Sequence, residues 1–137
     1  MANEFSVKGY KILKDLLYTE QDEWVRVEGG VAVIGVTDYA QKKLKNIINV
    51  ELPELNKRFS RGEVMATIES IKTIADVYAP LSGVVVEVNE MLRQEPERIN
   101  HDPYGEGWIV KIKILDESEI TTLLKPEDYA KKIEESE

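Results

Sequence analysis

Glu69-Ser70-Ile71-Lys72-Thr73-Ile74-Ala75-Asp76 places one lysine between two runs of residues that alternate apolar and polar side chains. The upstream run spans 62–69 and the downstream run spans 75–80, and this alternation predicts two half-buried strands. The stretch therefore predicts a hairpin with Lys72 near its tip, although the tip lacks the Asn-Gly, Asp-Gly or Gly-Gly pair of most tight turns. The alternative is an ordinary surface lysine on a turn that the sequence predicts poorly.

The composition predicts one compact domain without a nucleic-acid or membrane partner. The chain has 137 residues, of which 42% are apolar and 32% charged, and its formal net charge is −8. Its basic residues are scattered among acidic ones, so no basic face could follow a phosphate backbone or an anionic membrane. The N-terminus lacks an apolar core of signal-peptide length, and no run approaches the ~20 apolar residues of a spanning helix. These features predict a soluble, cytoplasmic protein.

Residue usage also excludes several kinds of catalytic site. There are no cysteines, which excludes disulfides, thiolate metal sites and a cysteine nucleophile. His101 is the only histidine, and it lies in a polar stretch at 100–103 that predicts a loop. No Gly-x-Ser-x-Gly element accompanies it. The prediction is therefore a solvated histidine, and any redox chemistry must come from a cofactor.

Outside the lysine hairpin, the pattern predicts short strands and one early helix. Further strands are predicted at 24–27, 31–36, 50–52, 83–88 and 108–114. Thr37 suits the N-cap of a short helix, and the apolar residues Tyr39, Ala40, Leu44 and Ile47 follow it at helical spacing.

Two helical segments are predicted near the C-terminus. Asp116 and Glu119 form a capping-box pattern before the first segment. Pro126 suits the first position of a second helix, which would bury Tyr129 and Ile133. Both segments are expected to cover the sheets.

A collinear set of motifs resembles the glycine cleavage system H protein family and covers roughly the last hundred and twenty residues. The set includes Leu17-Tyr18, Glu23-Trp24-Val25, Gly35-Val36-Thr37-Asp38, Leu52-Pro53-Glu54, Glu69-Ser70-Ile71-Lys72, Asp76-Val77-Tyr78-Ala79-Pro80 and Gly107-Trp108. Related biotin carriers flank their lysine with methionine on both sides. The flanking residues here are Ile71 and Thr73, which favour lipoate over biotin.

This resemblance implies a fold that is mainly β. The implied architecture is a lipoyl/biotinyl-type barrel-sandwich hybrid with a short helix between strands and helices at the C-terminus. We expect a single lipoyl-carrier domain over 1–137, with an N-terminal extension at about 1–15 and a C-terminal helical segment at about 116–137.

The resemblance also implies a function and a set of site residues. Lys72 would carry covalently attached lipoate, Glu69 and Asp76 would be read by ligases or contact the loaded arm, and Glu23 would line a cleft that receives this arm. The chain would be a non-catalytic carrier, and a monomer, that shuttles aminomethyl groups. Its partners would be a pyridoxal-phosphate glycine decarboxylase, an aminomethyltransferase, dihydrolipoyl dehydrogenase, and a lipoate ligase or lipoyl transferase.

Several residues depart from the family pattern around this cleft. Gln21 replaces a common serine, Asp22 replaces a histidine before Glu-Trp, and Tyr39 replaces the histidine after Thr-Asp. These changes put the cargo in question but leave the carrier role intact, and two alternatives stay open beside the aminomethyl carrier. One is a lipoate-binding paralogue that carries sulfur intermediates in a heterodisulfide-reductase-like sulfur-oxidation system. The other is an unmodified β-sandwich interaction module.

Overall fold

The computed structural model describes residues 3–136, and it confirms that the fold is mainly β. The strands are β1 (Glu4–Val7), β2 (Tyr10–Leu13), β3 (Leu17–Tyr18), β4 (Glu23–Glu28), β5 (Val31–Val36), β6 (Ile47–Glu51), β7 (Arg58–Phe59), β8 (Val64–Ser70), β9 (Ile74–Tyr78), β10 (Gly83–Val88) and β11 (Val110–Ile114). The α-helices are α1 (Asp38–Leu44), α2 (Arg98–His101) and α3 (Pro126–Ser136), and two 3₁₀ segments span Glu90–Arg93 and Glu117–Thr122. None of these helices is both long and apolar enough to cross a bilayer.

Two sheets share the main core. One has six strands in the order β3-β4-β5-β11-β10-β7, and the other has three in the order β6-β8-β9. Both contribute fully buried side chains to one apolar cluster, such as Ile34 and Val85 from the larger sheet and Ile68 from the smaller one. The sheets do not form a closed barrel, and the arrangement is the expected barrel-sandwich type.

A second core lies between the N-terminal hairpin and the C-terminal helix. Strands β1 and β2 pair with each other, and Ile12 of β2 is fully buried in a cluster with Tyr129 and Ile133 of α3. The ring of Tyr18 stacks on Tyr129 at a centroid distance of 4.6 Å. The described part of the expected N-terminal extension, 3–15, therefore packs on the body of the protein. Residues 1, 2 and 137, at the two ends of the expected domain, lie outside the described residues. That the chain forms a single domain stays a prediction.

The early helix begins as predicted but ends sooner. Thr37 is its N-cap and accepts a hydrogen bond from the amide of Ala40. Lys45 has a positive φ of 66°, and its amide donates to the carbonyl of Gln41, which ends α1 after Leu44. The prediction that Ile47 continues this helix is wrong, because Ile47 pairs with Ser70 and begins strand β6.

Other local details also differ from the predictions. His101 belongs to α2, although it is exposed, and the predicted strand at 108–114 begins only at Val110. The capping box forms only in part: Asp116 accepts from the amide of Ser118, but the carboxylate of Glu119 binds Ser82 instead. Pro126 begins α3 and Tyr129 and Ile133 are buried, as predicted.

Candidate functional site

Lys72 lies at the tip of a two-residue hairpin turn, which confirms the predicted placement. Strands β8 and β9 pair as far as Glu69 and Ile74, and the amide of Ser70 donates to the carbonyl of Thr73 at 2.8 Å. The turn residues are therefore Ile71 and Lys72, and both are exposed.

The side chain of Ser70 explains how this turn forms without glycine or asparagine. Its Oγ accepts the amides of Lys72 and Thr73 at 3.1 and 3.0 Å, and it donates to the carbonyl of Thr73 at 3.1 Å. No residue from 70 to 73 has a positive φ, which excludes the primed turn types that usually close two-residue hairpins. A buried hydroxyl thus organises the turn, as serine does in ST turns.

Within the described residues, the ammonium group of Lys72 makes one weak polar contact. Its Nζ lies 3.4 Å from the carbonyl oxygen of Lys43, a long contact at the limit of a hydrogen bond. Within residues 3–136, no carboxylate forms an ion pair with it. The amine is therefore accessible for modification.

Exposed isoleucines surround the lysine. Ile71 is 66% exposed and Ile74 is 64% exposed, and the sequence pattern already placed both beside the tip. Ile48, which is 50% exposed, is a residue that the pattern missed. The pairing of β6 with β8 shifts register between Ile47 and Asn49, so a bulge turns Ile48 outward. The lysine thus lies at an apolar end of the smaller sheet.

A cleft of about 180 Å³ lies between α1 and β9 and brings together two of the predicted site residues. Glu23 and Asp76 both line it, with Tyr39, Leu44, Ile68 and Val77 among the other lining residues. Lys43, whose carbonyl lies near the Lys72 ammonium, also lines the cleft. Glu69 is not among the lining residues and pairs with Asn49 and Ile74 across the strands. Glu69 therefore does not line the cleft.

Glu23 joins the two sheets at the cleft. Its carboxylate is buried, with Oε1 accepting from the hydroxyl of Thr19 at 2.6 Å and Oε2 accepting from the amide of Tyr78 at 2.9 Å. Burial raises the pKa of Glu23 to about 7, and these hydrogen bonds only partly oppose that rise. The carboxyl group therefore ties β9 to β4 and titrates near neutral pH.

Replacing Ser70 with alanine is expected to destabilise the hairpin tip by about 1 kcal/mol, because two backbone amides lose their shared acceptor. Amide hydrogen exchange at Lys72 and Thr73 measures this loss, with urea unfolding as the global readout. Ser70→Thr keeps the hydroxyl and is the matched control. Unchanged exchange at both amides in Ser70→Ala would contradict the assigned role of the hydroxyl.

Glu23→Gln is expected to change the pH dependence of stability. Folding raises the pKa of Glu23 from 4.5 to about 7. Between these two pH values, Glu23 is protonated in the folded protein but ionised in the unfolded chain. The free energy of unfolding of the wild type therefore falls as pH rises through this window, by up to about 3 kcal/mol from this group. The glutamine variant has no carboxyl group to titrate here and lacks that fall. The free energy of unfolding of the variant should therefore rise relative to that of the wild type from pH 4.5 to pH 8.

Urea unfolding at closely spaced pH values between 4 and 8 measures this difference. Glu20→Gln, at an exposed position three residues away, is the matched control. Parallel pH profiles for the wild type and Glu23→Gln would show that burial does not raise the pKa of Glu23.

The chain matches a known family over most of its length. A family model described as Glycine cleavage H-protein matches residues 16–136. The chain is 57% identical over 132 residues to a probable glycine cleavage system H protein from Aeropyrum pernix, which covers 95% of this chain and 92% of the relative. It is 48% identical over 122 residues to a glycine cleavage system H protein from Carboxydothermus hydrogenoformans, covering 89% of this chain and 94% of the relative.

A solved structure agrees with the fold as well. A glycine cleavage system H protein from Mycobacterium marinum matches with a TM-score of 0.78 at 34% identity, covering 88% of this chain and 97% of that chain. The sequence relatives and the solved structure thus point to the same family. The chain belongs to the glycine cleavage H-protein family.

Proposed function

We propose that Lys72 carries covalently attached lipoate, and that this arm shuttles aminomethyl groups between the glycine cleavage enzymes. The observation that supports this most is the accessibility of the Lys72 amine. The side chain is exposed on a turn that Ser70 stabilises, and its amine forms no ion pair within the described residues. An amine without a charged partner can become an amide without leaving a carboxylate uncompensated.

The residues around Lys72 fit a lipoyl arm. Attached lipoate would supply a disulfide for reversible redox chemistry, which the chain itself cannot supply because it has no cysteine. The cleft beside the hairpin has apolar walls at Leu44, Ile68 and Val77, and carboxylates at Glu23 and Asp76. Apolar walls suit a hydrocarbon arm, and the exposed carboxylate of Asp76 suits the amino group of its cargo.

Each site residue then has a separate role. Ser70 orients the lysine, and Glu69 offers a charge to the lipoylating enzyme on the surface beside the tip. Asp76 and Glu23 face the returning arm from the cleft, where the apolar walls exclude water and so protect a labile cargo. The chain binds, orients and shields, and the tether raises the concentration of the arm at each partner.

The partners follow from this role. We infer that a lipoate ligase or lipoyl transferase acts on Lys72. A pyridoxal-phosphate glycine decarboxylase would load the arm, an aminomethyltransferase would unload it, and dihydrolipoyl dehydrogenase would reoxidise it. The carrier would work as a monomer. The relatives and the solved structure reported above all bear glycine cleavage names, and no observation favours the sulfur-carrying alternative.

A reconstituted exchange assay tests this function. The lipoylated protein and its unmodified form are each mixed with a competent glycine decarboxylase, and exchange of labelled bicarbonate into the glycine carboxyl group is followed. We expect exchange with the lipoylated protein only. A verified lipoylated protein that supports no exchange would contradict the aminomethyl role. Equal exchange with both forms would contradict the role of the arm.

A further inference from the structure

Helix α3 contributes polar groups that reach one wall of the cleft without lining it. The ring of Tyr129 is fully buried and stacks on Tyr18, and a phenylalanine would make the same apolar packing. The hydroxyl adds two further contacts: its oxygen lies 2.6 Å from Thr37 Oγ1 and 2.9 Å from Asp22 Oδ1. Thr37 is the N-cap of α1, and Asp22 lines the cleft.

The hydrogens in this cluster can be assigned by counting donors. Burial raises the pKa of Tyr129, so its hydroxyl stays protonated and donates its one hydrogen to Asp22. The hydroxyl of Thr37 then donates to the Tyr129 oxygen and accepts from the amide of Ala40 at 3.2 Å. A continuous chain of hydrogen bonds therefore runs from the N-terminus of α1 through Tyr129 to Asp22.

The backbone of Asp22 is in a left-handed conformation. Its φ is 70°, in the left-handed region that few non-glycine residues adopt. Lys132, one turn after Tyr129 on α3, places Nζ 3.1 Å from the same Oδ1 atom and 5.8 Å from the centre of the Tyr39 ring. The carbonyl of Asp22 also accepts the amide of Thr37 at 3.0 Å. Two side chains of α3 thus hold the turn before Glu23 against the start of α1.

The geometry points to Tyr129 and Lys132 as positioning residues for the cleft that receives the lipoyl arm. They fix Asp22 and the N-terminus of α1, so that the wall formed by Asp22 and Tyr39 keeps its shape when the arm enters and leaves. This inference rests on the proposed lipoyl function. It differs from simple packing of α3, which requires the ring of Tyr129 but neither its hydroxyl nor the ammonium of Lys132.

The first test needs no lipoate. Amide hydrogen exchange is measured on the unmodified chain in the variants Tyr129→Phe and Lys132→Met. We expect the amides of Asp22, Thr37 and Ala40 to exchange about fivefold faster in Tyr129→Phe, relative to the central strand β11, because one buried hydrogen bond is lost. Lys132→Met should speed exchange at Asp22 by less, since its ammonium is partly solvated.

Two controls on the same helix separate positioning from packing. Lys131→Met makes the same change at an exposed neighbouring position, and Ile133→Val trims the buried face of α3. Neither control should speed exchange selectively at the three amides. Unchanged exchange in Tyr129→Phe, or the same selective change in Ile133→Val, would overturn the inference.

The second test measures how long the arm keeps its cargo. Each protein is lipoylated to completion, verified by intact mass and loaded with the aminomethyl group by a competent glycine decarboxylase. Hydrolysis of this group would give formaldehyde, ammonia and the free dithiol, and the formaldehyde is followed without any transferase. We expect Tyr129→Phe to release it up to about fivefold faster than the wild type, because the same hydrogen bond is lost, and both controls to match the wild type. Release from the wild type as fast as from free lipoamide would overturn the inference but leave attachment at Lys72 intact. Absence of any lipoyl mass on the wild type would contradict the proposed function itself, and the inference with it.

Discussion

Replacing Lys72 with arginine is expected to leave the protein folded and entirely without lipoate. A guanidinium keeps the positive charge but stays protonated at every working pH, so it cannot act as the nucleophile that forms the amide. The turn is held by Ser70 and the lysine side chain is exposed, so the free energy of unfolding should change by less than about 0.5 kcal/mol. Intact mass after co-expression with a lipoate ligase measures the first effect, and urea unfolding measures the second.

Lys131→Arg is the matched control, since it makes the same change at an exposed lysine of α3. It should gain the mass of one lipoyl group, as the wild type does. A lipoyl mass on Lys72→Arg would place the attachment at another lysine. A wild type that gains no mass under conditions that lipoylate a known carrier would instead favour the unmodified interaction module.

Gly35→Ala is expected to destabilise the fold by about 3 kcal/mol, the upper end of the usual range for overpacking. A Cβ at this position would lie 2.6 Å from Nε1 of Trp24, which pairs with Gly35 across strands β4 and β5. The indole is fully buried, and its Nε1–H donates to the carbonyl of Pro103 at 2.9 Å, so it cannot move aside without losing this bond. Urea unfolding measures the loss.

Gly30→Ala is the matched control in the same hairpin. A Cβ at Gly30 meets no atom within 4 Å, and its φ is not positive, so this variant should have the stability of the wild type or slightly more. Equal stability of the two variants would show that the indole of Trp24 can shift without cost.

The part of the site that the sequence predicts is the part built from local signals. Alternating side chains on both sides of Lys72 define the two strands, and the lysine falls between them by simple counting. Thr37 is likewise recognisable as an N-cap from its own identity and its neighbours. The hairpin, the start of α1 and the start of α3 were therefore predictable.

The remaining features depend on contacts between residues that are far apart in the chain. The role of Ser70 depends on a turn geometry that the sequence does not mark with an Asn-Gly pair. The exposure of Ile48 depends on a bulge in the pairing of β6 with β8. The hydroxyl of Tyr129 meets Asp22 across 107 positions of sequence. A pattern of apolar residues predicts that Tyr129 is buried, but it carries no information on what its hydroxyl binds.

The cleft shows the same limit. Glu23 and Asp76 line it together, but only the fold brings the start of β4 in one sheet close to the end of β9 in the other. Resemblance to the family placed both residues near the arm, and it also associated Glu69 with the arm or its ligase. Glu69 does not line the cleft, and both of its expected roles, recognition by a ligase and contact with the loaded arm, stay predictions.

The most direct test of the account is to map the modification in the wild-type protein. The chain is lipoylated by a lipoate ligase and digested, and the peptides are sequenced by mass spectrometry. We predict one lipoyl group, on the peptide that contains Lys72 and at that lysine alone. A lipoyl group at any other lysine, or an unmodified Lys72 peptide beside a lipoylated known carrier in the same reaction, would contradict the central claim.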